Sequence, residues 1–187
     1  MNKKKGKQIE KESLVYTLLL TVLAILWISI KDYTFQVSEV SFSFSLFLLP
    51  FIYFLVKNII KKYGYKKAIF SIIISTVAFV SFSALSSFAL REVFALSNVK
   101  KEFYSYLISL LLYVFIYRYF IEDIQDNIFI CSLNYLFIII VYHMISTLVG
   151  MEKIPLNIFL VKYFLTLGIQ TVICFLVASI EKKYIKK

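Results

Sequence analysis

Apolar residues fall along this chain in six long blocks, at about residues 14–30, 40–56, 68–90, 103–121, 128–149 and 156–180, with short polar stretches between them. Each block has about the length a helix needs to cross a hydrocarbon layer of roughly 30 Å at about 1.5 Å per residue. Backbone polar groups in lipid must be satisfied within the chain, and none of the blocks alternates with the period of a barrel strand. The pattern predicts an all-α polytopic membrane protein: six transmembrane helices in a single membrane domain over residues 1–187.

The breakers fall where turns are needed. Gly64 lies in the second loop, Gly150 closes the fifth block, and Pro155 precedes the sixth, where its missing N–H costs nothing. Pro50 lies inside the second block. Either the helix kinks there, or it is broken and its freed carbonyls line a cavity.

Composition agrees with the pattern. Of 187 residues, 60% are hydrophobic and 18% aromatic, and the mean hydropathy of +0.82 is more than a soluble domain can cover. The net charge of +10 invites a nucleic-acid reading, but the lysines lie in tails and loops beside apolar blocks, where they set orientation and meet lipid headgroups. With both termini in the cytoplasm, fifteen basic residues fall on the cytoplasmic side. They comprise five before the first block, Lys57, Lys61, Lys62, Lys66 and Lys67 in the second loop, Arg118, and four in the C-terminal tail. Five fall on the other side, namely Lys31, Arg91, Lys100, Lys101 and Lys153, and Lys162 is inside a span. This asymmetry predicts a multi-pass protein of a bacterial plasma membrane with both termini cytoplasmic. The basic lead of the first block mimics a signal peptide, but no small-x-small cleavage site follows, so a retained helix is expected. The acidic fourth loop, Glu122 to Asp126, faces lysine-rich regions and reads as a solvated ion-pair network in preference to a metal site.

The stretch LLPFIYFLVKNIIKKYGYKKA, residues 48–68, resembles the end of the second span in the VUT family of queuosine-precursor transporters. Pro50, Tyr53, Tyr63, Gly64, Tyr65, Lys66 and Ala68 fall in step with the family pattern F-P-x-T-Y-x-x-x-D-x-x-x-E-x-Y-G-Y-K-x-A. The two acidic positions of that pattern read Lys57 and Lys61, so the frame matches and the charges are reversed. Outside this stretch the likeness is one of helix count, loop lengths and total length. The resemblance implies uptake of a deazaguanine-type precursor, and the reversed charges imply either a more anionic cargo or a membrane partner without transport. A slip of register after Pro50 is the competing explanation, with the lysines serving only as orientation signals.

Polar groups inside spans are costly and are candidate functional groups. Tyr53, Tyr113, Asn134, His143 and Gln170 form the expected substrate site, between the second, fourth, fifth and sixth spans. Amides can read the hydrogen-bonding edge of a purine-like base, and tyrosines can stack on its ring. For each the structural alternative stands beside the functional one: the amides and His143 can tie helices together, and the face formed by Tyr106, Tyr113 and Tyr117 can simply pack. Lys162 can snorkel to headgroups. Thr76, Ser83 and Ser87 share a face of the third span suited to close helix packing. Tyr104 and Tyr119 read as interfacial residues, and Cys131 and Cys174 as free thiols in apolar surroundings.

No block contains an Asp or Glu, one histidine is present, and phosphate-cradling glycine patterns are missing. The chain is therefore expected not to be an enzyme, and to use no cofactor and no metal. A small integral membrane transporter is the leading expectation. The alternatives are the substrate-binding subunit of an energy-coupling-factor transporter and a non-transporting scaffold of the rod-shape-determining type. The expected partners are the lipid bilayer and a small-molecule substrate, with no nucleic acid; a homo-oligomer or a second membrane subunit is left open.

Overall fold

A computed structural model describes residues 2–31, 33–37, 40–89, 96–121, 127–150 and 156–185. Six long helices make up nearly all of it: α1 (Asn2–Ser29), α2 (Leu49–Tyr63), α3 (Tyr65–Ala89), α4 (Leu96–Ile116), α5 (Ile128–Gly150) and α6 (Leu156–Ile185). Spans in α1, α3, α5 and α6, and one that joins α2 to the short 3-10 turn before it (Phe44–Tyr63), are long and apolar enough to cross a membrane. The α4 helix falls short of that standard, since it carries Lys100, Lys101 and Glu102 in its first turns and passes into a π-helical turn, Tyr117–Ile121, at its end. All-α architecture is as the pattern predicts.

The second block departs from its expected helix. Residues 40–43 are a strand, β2 (Val40–Ser43), paired antiparallel with β1 (Thr34–Val37) in the register Thr34↔Ser43 and Phe35↔Phe42. A 3-10 turn, Phe44–Phe47, follows, and α2 begins only at Leu49. The cause is legible locally: apolar Val40, Phe42 and Phe44 alternate with Ser41, Ser43 and Ser45, a period of two, which suits a strand. Phe35 stacks on Phe42 at 5.5 Å and meets Phe44 and Phe47, while Phe42 and Leu46 pack on Ile169 of α6. Pro50 accordingly sits in the first turn of α2, where no N–H is required of it, and neither kinks nor breaks the helix.

Gly64 alone joins α2 to α3. Its φ of +83° is a conformation that side chains with a Cβ rarely adopt, and its N–H still closes on the Ile60 carbonyl at 2.9 Å. The start of α1 lies against this turn, through Lys62 to the Tyr16 hydroxyl (2.8 Å) and the Tyr63 hydroxyl to Glu12 (3.4 Å). The end of α6 reaches the same end of the bundle through Glu181. We call this the basic end, because Lys61, Lys62, Lys66, Lys67, Lys182 and Lys183 are exposed there.

Along the bundle, α1 packs on α3 through small hydroxyls. Thr17 and Ser71 are 2.7 Å apart, and Ser75 and Thr76 are buried with their hydroxyls bonded back to the Ile72 carbonyl. Thr76 thus serves the packing face expected of α3; Ser83 is half-buried, and the side chain of Ser87 lies outside the described residues. Tyr106, Tyr113 and Tyr117 are all buried on one face of α4, while Tyr104 and Tyr119 are exposed near its ends. Neither Cys131 nor Cys174 is in a disulfide, and both are buried.

Candidate functional site

The charge pattern placed Lys57 in the basic second loop, near water. The structure buries it instead: α2 runs on to Tyr63, and Lys57 is two turns inside it with a relative exposure of 1%. A buried ammonium must be neutralised and its three donors satisfied. The Glu181 carboxylate of α6 takes it at 2.7 and 2.8 Å, and the Cys131 thiol of α5 lies 3.2 Å away. Glu181 also accepts from the Tyr135 hydroxyl at 3.1 Å and is met by Lys61 at 3.5 Å. The four-residue spacing of Lys57 and Lys61 therefore does put both on one face, aimed at one carboxylate. The carboxylate that the resemblance expects on α2 is supplied from α6, and the pair as a whole is close to neutral.

A second cluster of the same composition closes the opposite end. Lys31, just beyond α1, contacts Glu102 of α4 at 3.0 Å, and the Tyr142 hydroxyl of α5 donates to Glu102 at 2.6 Å. Both carboxylates are buried. The helices outrun the apolar blocks: α4 begins before residue 103 and α6 continues past residue 180, so Glu102 and Glu181 lie inside helices although no block holds an Asp or Glu.

Aromatic side chains join the two clusters, with Ser109 as the one link between Tyr106 and Tyr53. Trp27 meets Tyr142 edge-on at 5.9 Å and stacks on Tyr106 at 5.8 Å. Ser109 accepts from the Tyr53 hydroxyl at 3.0 Å and donates to the Tyr106 carbonyl. Tyr53 packs on Tyr113 at 5.5 Å, and Tyr113 on Tyr135 at 6.3 Å, which returns to Glu181. Every ring of this column is buried. Tyrosine suits the position because its ring packs like phenylalanine while its hydroxyl needs a partner.

Two polar atoms in the interior have none: Trp27 Nε1 and Gln170 Oε1 make no hydrogen bond among the described residues. The other end of the Gln170 amide donates to the Leu46 carbonyl at 2.7 Å, holding the irregular backbone that leads into α2. Each such vacancy costs roughly 1 to 3 kcal/mol in a dry interior.

Of the five expected site residues, Tyr53 and Tyr113 are brought together in the column. Gln170 stands apart on α6, bonded to the 3-10 turn. Asn134 is buried on α5, and His143 is half-buried, edge-on to Tyr142 at 5.3 Å. Nine residues separate these two, which at about 100° per residue turns them to opposite faces of the helix. The side chain of Lys162 and the acidic loop 122–126 lie outside the described residues. Sequence reasoning missed Glu102, Glu181, Lys31, Trp27, Tyr135 and Tyr142. One signal was available: Tyr135 and Tyr142 are seven apart, hence on one face of α5. No family model, no curated protein and no solved structure matches this chain.

Proposed function

We propose that this protein is a small integral membrane transporter of the VUT type, with six spans and both termini in the cytoplasm, carrying a flat, uncharged, purine-like solute such as a queuosine precursor. The observation that carries the reading is the buried aromatic column of Trp27, Tyr106, Tyr53, Tyr113 and Tyr135, in which the Trp27 indole N–H has no hydrogen-bond partner among the described residues. A heterocycle with an acceptor on its edge would take that N–H, and the rings would stack on its faces. Compensation of Lys57 by Glu181 favours a neutral cargo over the more anionic one that the reversed motif charges suggested.

Uptake of a labelled deazaguanine precursor, in cells unable to make their own, tests this. Uptake above the vector control, reduced severalfold by Trp27→Phe, supports the reading; uptake no greater than the control overturns it. Copurification of an ATPase module would favour the energy-coupling-factor subunit instead, and of cell-wall assembly proteins the scaffold. Orientation is tested separately by Lys66→Cys, at an exposed position of the basic end. An impermeant thiol reagent should label it only after the cells are permeabilised.

A further inference from the structure

We propose that the two Lys–Glu–Tyr clusters are closures at the two ends of one path along the aromatic column. Lys57, Glu181 and Tyr135 shut the basic end, and Lys31, Glu102 and Tyr142 the other, so that this structure is shut at both. The inference rests on the transport reading and adds to it where the path opens and what opens it.

The helices each cluster ties together carry the argument. The cluster at the basic end joins α2, α5 and α6. Its counterpart joins the chain just after α1 to α4 and α5. Only α5 belongs to both, and it contributes the same residue type to each from one face, two turns and about 10 Å apart. Either end can therefore part, α2 from α6 or α1 from α4, while the other stays tied to α5.

The chemistry points the same way. Apolar residues of equal volume would hold these helices together at least as firmly as a buried ion pair. An ion pair adds a second stable condition: dry and paired, or apart and hydrated. Neither end is sealed by its second cation, since the side chains of Lys61 beside Glu181 and Lys31 beside Glu102 are each 29% exposed.

Cys131 is a built-in reporter. It is buried, and its thiol lies against the Lys57 ammonium, behind the closure at the basic end. Cys174, on α6 two turns before Glu181, is buried outside the cluster and serves as the control. In nanodiscs, where both faces are accessible, a hydrophilic maleimide should label Cys131 slowly in the unmodified protein. Glu181→Gln should raise that rate about tenfold or more, corresponding to about 1.4 kcal/mol or more, with Cys174 unchanged. Exchanging the charges, Lys57→Glu with Glu181→Lys, should return it to the slow rate. Adding Glu102→Gln to Glu181→Gln should lower the Cys131 rate, because opening at the other end competes with opening at the basic end. If Glu181→Gln does not fold, Tyr135→Phe should behave alike with a rise of about threefold.

Cys131 as slow in these variants as in the unmodified protein overturns the closures. So does an equal rise at Cys174, or a Cys131 rate that Glu102→Gln leaves unchanged or increases. The labelling needs no substrate, so the two readings fail separately. Precursor uptake with unmoved labelling removes the closures alone, and the expected labelling without precursor uptake removes the proposed cargo alone.

Discussion

The two ends of the bundle are built from the same three residue types and differ in which of them holds the carboxylate. At the basic end the lysine does: Lys57 is 1% exposed and reaches both Glu181 oxygens below 3 Å, while Tyr135 stands off at 3.1 Å. At the other end the order is reversed. Tyr142 donates to Glu102 at 2.6 Å, and Lys31, at 3.0 Å, is 29% exposed and screened by water. The same composition thus gives a dry ion pair at one end and a phenol-held carboxylate with a hydrated cation at the other. Burial of the cation, and not the presence of the pair, decides what the pair contributes.

That difference ranks the expected effects of substitution on stability, each measured by denaturant or thermal unfolding in the same detergent. Lys57→Met should cost most, about 3 to 5 kcal/mol, since it leaves Glu181 buried with only the more distant, half-exposed Lys61. A loss below 1 kcal/mol would mean that Glu181 is hydrated and the basic end is not dry. Tyr142→Phe comes next at about 2 kcal/mol, the value of a short hydrogen bond to a charged group, and should exceed Tyr135→Phe. Equal losses for the two tyrosines would erase the contrast between the ends. Lys31→Met should cost about 1 kcal/mol, as expected of a screened pair whose carboxylate keeps its phenol.

The helices were legible because apolar blocks of spanning length leave the backbone no alternative, and the tyrosine face of α4 because its spacing is helical. The hairpin was not read, although Val40, Phe42 and Phe44 alternate with serines. Three apolar positions so close together look like the opening of an apolar helix until the period is counted. The clusters were missed for a different reason. Hydropathy places the end of a span at the first charged residue, and here the first charged residue is the buried one: Glu102 precedes the fourth block by one position and Glu181 follows the sixth by one. Lys57 was assigned to water for the same reason. A charge neutralised by a residue from another helix carries no mark in its own neighbourhood. Within the expected site, Tyr53 and Tyr113 meet because both lie on apolar helix faces turned inward. Nothing local told that Gln170 would be occupied by the backbone at Leu46.

That backbone contact bears on how the chain is made. The Leu46 carbonyl waits for Gln170, and Lys57 waits for Glu181, each 124 residues later in the sequence. At about 5 to 20 residues per second, α2 leaves the ribosome roughly 6 to 25 seconds before its two partners exist. Through that interval Lys57 has no carboxylate from α6 and must reach headgroup water on its own four-carbon stem. The second helix to be synthesised therefore takes its final place last, when the sixth arrives, and chains that stop before residue 181 should leave α2 loosely held at the membrane surface, open to degradation.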